Sequence, residues 1–343
     1  MNLKKLQEIA EEKKLPQYRA KQIIRAVYHE GVGSFLEMTT LPKDLREALE
    51  KEVQIFSFAV EKIIAAKNRQ TIKAILKLST GEISETVFIQ TKPGMWSACI
   101  SSQAGCAMNC AFCATGQNGF KRNLTAEEIS DQVLFWKRYK TQQNITGTFS
   151  NVVYMGMGEP FANWKNVKES LRILLDPALL AFGARGISIS TSGMPEGIVN
   201  LAKEFPQINL ALSLHFATDE KRTKYMPVNK YANLAALRGA LKTYFSLIKR
   251  KVFIEYLMLD GVNDTKEDAQ DLAEYITSVG NAYLLYVNLI PYNTTASSFT
   301  ASFTDTMRAF RNSLFRRGIS VTVRKSMGAD IDGACGQLAG SSV

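Results

Sequence analysis

Apolar residues recur at helical spacing through the first thirty positions, in LQEIAEE and again in YRAKQIIRAVYHEG, which ends at Gly31. This pattern predicts two helices, and KDLREALEKEV after Pro42 predicts a third. Residues 1 to about 65 therefore read as mostly helical. From Thr71 the period changes. Thr71–Leu78 and Ile83–Ile89 alternate apolar and polar around Ser79-Thr80-Gly81-Glu82, which predicts a β-hairpin. Short β-rich runs follow at Ser97–Ser102, Val152–Met157, Ile187–Thr191, Ile208–Leu214, Val252–Met258 and Tyr283–Ile290. Helical patterns at roughly 125–140, 165–175, 195–204, 231–248 and 266–279 separate them, and a helix (305–317) and strand (319–324) close the chain. Parallel neighbours need crossover helices, so six strand–helix units in series predict an α/β fold with a parallel sheet. Six units fall short of the eight that close a barrel, which leaves a partial barrel or an open sheet. The predicted division is a helical accessory domain (1–65), a hairpin extension (66–94), the strand–helix core (95–295) and a C-terminal helix, strand and loop (296–343).

Composition narrows the class. A chain of 343 residues, 46% hydrophobic, buries a core without disulfides. No apolar run approaches the ~20 residues of a membrane span, and MNLKKLQEIAEEKK lacks a signal-peptide core, so a cytoplasmic protein with no membrane partner is expected. Lys+Arg 42 against Asp+Glu 32 gives a net charge of +10. Basic proteins often meet polyanions, because neutralising phosphates releases counterions, although a modestly basic enzyme has the same composition.

Cysteine usage carries more. Four of the five cysteines (Cys99, Cys106, Cys110 and Cys113) crowd into one short segment, and the fifth is Cys335. An odd, clustered set suits metal binding or chemistry better than a disulfide framework. Cys106-Ala-Met-Asn-Cys110-Ala-Phe-Cys113 lies just past the first strand of the core, where barrel enzymes place their sites. Three thiolates hold only three irons of a four-iron cubane, and the fourth iron stays open. That open iron is free to take a substrate or a cofactor. A structural zinc site is the rival, but it wants four ligands and no local fourth exists. Chance clustering of buried cysteines is the other alternative. Further polar groups end the other strands: Gly156-Met157-Gly158-Glu159-Pro160, Ser190, Ser213-Leu214-His215, and Asn293 after Pro291-Tyr292. All would meet the triplet at one mouth. Cys99 and Cys335 remain, and either suits a small buried hydrophobe. Cys335, in the Gly-rich polar tail Asp330–Gly336, better suits a nucleophile that must reach a site.

Together the triplet, the Gly-Met-Gly-Glu-Pro turn, Ser213-Leu214-His215 and the Cys335 tail resemble the radical S-adenosylmethionine RNA adenine methyltransferases of the RlmN/Cfr type. The likeness runs from Tyr18-Arg19-Ala20-Lys21-Gln22-Ile23 to Ala334-Cys335-Gly336-Gln337-Leu338. It implies a partial (β/α)6 TIM-like barrel with an N-terminal helical domain. It implies that Cys106, Cys110 and Cys113 ligate a [4Fe-4S] cluster, and that Gly158, Glu159, Ser190, Ser213, Leu214, His215 and Asn293 contact S-adenosyl-L-methionine. Two such molecules serve each turnover. Cys335 matches the cysteine that is methylated, Cys99 its disulfide partner, and Glu85 the family's proton acceptor. The implied substrates are an adenosine of 23S rRNA and the adenosine beside the tRNA anticodon, with a flavodoxin- or ferredoxin-type electron donor. Pro160 matches the housekeeping branch, which methylates adenine C2; the resistance branch methylates C8. Gly186 departs from the family, which often has an arginine there. Phosphate contacts would come from Lys121/Arg122, Arg316/Arg317 and the N-terminal module, the target base being unstacked to reach the mouth. A radical enzyme acting on another substrate, or an RNA-binding module with a structural metal, are the remaining readings.

Overall fold

Three helices open the chain in the computed structural model, which describes residues 1–340: α1 (Leu3–Glu12), α2 (Gln17–Tyr28) and α3 (Lys43–Glu52). Each buries one apolar face, through Leu6 and Ile9, Ile23 and Val27, and Leu45 and Leu49. Four strands follow as an antiparallel meander: β1 (Phe58–Ala65), β2 (Thr71–Leu78), β3 (Ile83–Lys92) and β4 (Met95–Cys99). β1 falls where the sequence pattern predicted helix. It is an edge strand in which only Phe58 is buried, and a bulge interrupts its pairing between Val60 and Lys62. No period-2 burial was therefore imprinted on its sequence, and pairing with β2 decides its conformation.

A small hairpin of β5 (Gln103–Gly105), a short helix α4 (Ala114–Gln117) and β6 (Phe120–Asn123) precedes the core helix α5 (Ala126–Gln142). Strands and helices then alternate: β7 (Thr148–Tyr154), α6 (Trp164–Leu175), β8 (Ile187–Thr191), α7 (Pro195–Glu204), β9 (Asn209–Ser213), α8 (Asp219–Tyr225), α9 (Leu234–Leu247), β10 (Val252–Met258), α10 (Lys266–Ser278), β11 (Leu285–Pro291), α11 (Thr304–Arg316) and β12 (Ser320–Val323). One ten-stranded sheet results, in the order β1-β2-β3-β4-β7-β8-β9-β10-β11-β12. Every pair from β4 onward is parallel. Among the described residues β12 pairs only with β11, so the barrel stays open and the meander extends its first edge. Because the strands are parallel, their C-terminal ends share one mouth.

An aromatic stack joins meander, barrel and helix layer. The Phe88 ring on β3 lies 4.6 Å from Trp96 on β4 and 5.3 Å from Trp136 on α5, both stacked, with Phe149 of β7 edge-on at 5.0 Å. Trp136 Nε1 donates to Thr86 Oγ1 at 3.0 Å, and Thr86 donates onward to the Cys99 carbonyl at 2.8 Å. Phe88 is fully buried, so Phe88→Ala should cost about 3–5 kcal/mol through lost burial and an unfilled cavity. Urea unfolding of the variant measures this, and a loss below about 1 kcal/mol would mean the stack is not a core element.

Candidate active site

The cysteine loop is built on tight backbone. Gly105 has φ +75°, and a Cβ there would sit 1.9 Å from the Gly119 carbonyl oxygen. Only glycine allows the β5–β6 hairpin to close so tightly, with the Cys106 amide donating to Gly119 O at 3.1 Å. The Cys113 amide donates to Cys110 O at 3.1 Å. Cys106, Cys110 and Cys113 line one cavity at the mouth, together with Gly158, Glu159, Ser190, Ser213, His215 and Cys335. Nine of the residues singled out from sequence thus converge.

The chemistry of this donor set fits an iron–sulfur cluster. Burial pushes the Cys106 thiol up to about 12 and Cys110 well above its ordinary value, and in each case a neighbouring cysteine raises it further. Thiols raised in this way ionise together only against a strong positive body. Three thiols from one short loop that line a single mouth suit three corners of a cubane.

The opposite wall is anchored by Glu159. Gly158 reaches φ +99°, and a Cβ there would meet Gln103 Cβ at 2.5 Å. Glu159 is buried; its amide donates to Gln103 Oε1 at 2.8 Å, and its Oε1 accepts from the Phe161 amide at 3.1 Å. Oε2 takes the Ser192 amide at 2.7 Å and the Ser192 hydroxyl at 2.8 Å. Burial raises the carboxyl, and these donors pull it back. Behind Ser192 stands Arg222, 0% exposed, donating to Leu214 O at 3.3 Å, Asn229 Oδ1 at 2.8 Å, Ala232 O at 3.4 Å and the Ser192 carbonyl. Ser190 and Ser213 hydroxyls meet at 3.1 Å between β8 and β9. His215, at φ +57°, accepts the Leu257 amide on Nδ1 at 3.1 Å and lies edge-to-face on Phe112 at 5.1 Å. Leu214 is not in the cavity wall; its side chain is buried behind it and its amide donates to Glu255 O at 3.1 Å.

Cys335 enters the cavity on the C-terminal loop. Asn293 Nδ2 donates to the Cys335 carbonyl at 3.0 Å, which places Asn293 as a loop support. Cys335 is itself exposed; the surrounding protein raises its thiol, and the Arg324 guanidinium pulls it down. Arg324 also lines the cavity and donates to Glu255 Oε2 at 3.4 Å, while Asn288 holds Glu255 Oε1 at 2.9 Å. Cys99 lies outside the cavity, packed with Val87, Met157 and Leu338 of the same loop. Burial pushes it up to about 12, with Cys335 adding to the rise. Both thiols are free. Glu85 does not face the cavity either: it is buried against Lys73 at 3.2 Å and accepts the Ala339 and Gly340 amides. Arg122, expected as a phosphate contact, is committed to Glu128 through two bonds of 2.8 Å and to Glu82 at 3.0 Å. Of the groups sequence reasoning missed, Glu255 had a signal as a lone carboxylate in the apolar run VFIEYLM. Arg222 had none, because DEKRTKY reads as a solvated helix.

Comparison with known proteins agrees with this geometry. Residues 100–276 match the Radical SAM superfamily, and residues 1–55 match the ribosomal RNA large subunit methyltransferase N-terminal domain. A ribosomal RNA large subunit methyltransferase Cfr of Clostridium botulinum is 40% identical over 97% of this chain and 96% of its own. A probable dual-specificity RNA methyltransferase RlmN of Pseudothermotoga lettingae is 39% identical over 98% of this chain and 94% of its own. The crystal structure of a radical SAM methyltransferase from Sphaerobacter thermophilus superposes with TM-score 0.93 at 37% identity, covering 99% of this chain and 98% of that one.

His215 supplies a pH signature. Burial first, then Arg222, lowers it from 6.5 to about 3, so between those values only the unfolded chain binds the proton. Stability therefore falls as pH drops through that window. Replacing His215→Asn should flatten the pH slope of urea unfolding below about 6.5. Equal slopes in variant and parent would mean the imidazole is not held neutral.

Proposed function

The chain belongs to the RlmN/Cfr family of radical S-adenosylmethionine methyltransferases, and we propose that it methylates C2 of an adenosine in 23S rRNA, and of the adenosine beside the tRNA anticodon, by way of a methyl group carried on Cys335. The family uses a [4Fe-4S] cluster and S-adenosylmethionine. When bound, these supply an electron, a transferable methyl group and the hydrogen-abstracting power that an electron-poor aromatic carbon demands. The observation that carries the reading is the position of Cys335 on the wall of the cavity that also holds the cysteine triplet.

The residues divide the work. Cys106, Cys110 and Cys113 would hold the cluster. Glu159 offers a buried carboxylate toward the cofactor's amino group, Gly158 lets backbone approach, and Ser190, Ser213 and His215 present polar atoms from successive strand ends. Leu214 contributes backbone, and Asn293 seats the loop on which Cys335 rides. Arg324 faces the Cys335 thiol and favours its thiolate, the form that attacks a sulfonium methyl. Once the carbon has joined the base and the adduct has lost an electron and a proton, the Cys99 thiolate attacks the Cys335 sulfur. The sulfur–carbon bond breaks, and its electron pair passes to the carbon, which takes a proton and leaves as the methyl group of the RNA. The disulfide remains for cellular thiols to reduce. Cys99 already packs on Leu338 of that loop, so a shift of the loop brings the two sulfurs together. A flavodoxin- or ferredoxin-type protein supplies the electron. Among the described residues no helix is long and apolar enough to cross a membrane.

Pro160 after Gly158-Glu159 supports the C2 position. The name carried by the Clostridium botulinum relative favours the second reading, C8 of the same rRNA base. Expression in a strain lacking its own enzyme, followed by mass spectrometry of rRNA and tRNA digests, should reveal 2-methyladenosine. Finding 8-methyladenosine instead would establish the second reading, and finding neither would remove RNA as substrate. Cys335→Ala should abolish methylation while reductive cleavage of the cofactor persists; full methylation by that variant would overturn the carrier role.

A further inference from the structure

A buried lysine and a buried carboxylate on neighbouring strands of the meander bracket the loop that carries Cys335. In the β2–β3 register Lys73 stands opposite Val87 and Glu85 opposite Ile75, so the two are diagonal neighbours. Lys73 Nζ lies 3.2 Å from Glu85 Oε2 and donates to the Asp332 carbonyl at 3.2 Å. Glu85 Oε1 accepts the Ala339 amide at 3.2 Å and the Gly340 amide at 2.7 Å. Cys335 lies between these two anchor points. The cation thus grips a carbonyl at the loop's entry, and the anion grips two amides at its exit.

Other contacts divide along the same line. Asp332 holds a left-handed backbone at φ +50°, a conformation a non-glycine residue keeps only when its surroundings impose it. Upstream, Asp330 Oδ2 accepts the Lys67 amide at 3.1 Å. On the far side α4, which follows the cysteine triplet, completes the grip. The Ala114 amide donates to Gly336 O at 2.8 Å, and the side chains of Thr115 and Asn118 donate to the Leu338 and Ala339 carbonyls. The loop is therefore clamped between the meander and the cluster loop. A buried ion pair adds little net stability over an apolar pair of the same shape, because both charges lose water. Here the two charges do what apolar groups cannot: they fix backbone carbonyls and amides that would otherwise be free to turn.

We propose that Lys73 and Glu85 form a latch that seats the Cys335 loop over the cavity, with Lys73 as a positioning residue for the thiol. While the latch is closed, Glu85 is occupied by the loop's own amides and by Lys73, and it is absent from the cavity wall. Any proton-accepting role for Glu85 then belongs to a stage after the loop has lifted. Glu85 and the loop exchange partners: release of Ala339 and Gly340 is what bares the carboxylate. The inference rests on Cys335 as the methyl carrier only for its consequence in catalysis; the latch itself is a property of the fold.

The test uses the full-length chain purified with its cluster, as Lys73→Met, Glu85→Gln, the double variant and Lys73→Arg. The double variant leaves no lone buried charge, so it keeps the test open even should Lys73→Met fail to fold. Hydrogen–deuterium exchange across 332–340 should quicken about tenfold in Lys73→Met and the double variant, with Lys73→Arg close to the parent. Single-turnover methyl transfer from S-adenosylmethionine to Cys335, read by peptide mass spectrometry, should slow about tenfold at saturation with the half-saturating concentration unchanged. Parental exchange in the double variant would overturn the latch. Faster exchange with an unaltered saturating rate would overturn the positioning role. If the parent takes no methyl on Cys335, the carrier reading fails, and the exchange experiment still decides the latch.

Discussion

Thiols gathered at one mouth of a parallel sheet cannot all ionise without help, and this constraint organises the rest of the molecule. Cys106 and Cys110 are pushed upward by burial and by their neighbours, and buried Glu159 and Glu255 bring further negative charge to the same cavity. Self-repulsion in a poorly hydrated site is costly, so the site is completed by positive bodies. A cluster of iron and a sulfonium cofactor are such bodies. The protein adds two guanidinium groups and places them differently. Arg324 lines the cavity and is partly engaged by Glu255. Arg222 is sealed behind the wall, and all four of its acceptors are neutral oxygens. No carboxylate bonds it directly, Asp219 standing one residue away behind Asn229, and its charge bears on Cys110 and His215.

Geometry carries that electrostatic pattern across the sheet. Arg222 holds the Ser192 carbonyl while the Ser192 amide and hydroxyl hold Glu159. A residue on α8 therefore fixes a carboxylate at the end of β7 through a residue after β8. The His215 ring is held from the other side, by the Leu257 amide of β10. Glu159 and His215 are thus each oriented from a neighbouring strand or the residue that follows it. Such cross-strand support gives a cofactor site its precision, since a first layer is only as rigid as the layer behind it.

Local patterns in the sequence announced the core strands and the cysteine loop, because a two-residue period and a short cysteine spacing are written in consecutive positions. β1 escaped because an edge strand facing water has no reason to alternate. Glu85 was assigned to chemistry by family likeness, yet its burial against Lys73 is set by strand pairing and by the return of a segment some 250 residues later, which no local pattern records. Arg222 sits among Asp219, Glu220, Lys221 and Lys224 in sequence, so nothing marks it as the one charge of that helix that turns inward. Arg122 differs in the opposite sense. Its basic neighbourhood suggested RNA, but Glu82 and Glu128 had already claimed its guanidinium. At Gly186 a Cβ would lie 2.2 Å from the Ser150 carbonyl oxygen, so this backbone has no room for a side chain without shifting.

The C-terminal loop reconciles two demands that pull against each other. In the role proposed for Cys335, a methyl carrier must first face the cofactor, then a base, and finally a second thiol, so its loop cannot be fixed as a core strand is fixed. A thiol left on a free tail would lose the effective concentration that makes an intramolecular reaction fast. The structure answers with a loop that is polar and glycine-containing in sequence but held at both ends by buried charge and by α4. Hydrogen bonds to backbone are well suited to this use, because they are directional when made and are exchanged for water when broken, with little net cost. Apolar packing would hold the loop equally well but would release it only by exposing hydrophobic surface. Leu338 makes that kind of contact, in a small cluster with Val87, Met157 and Cys99, the thiol that the proposed reaction joins to Cys335.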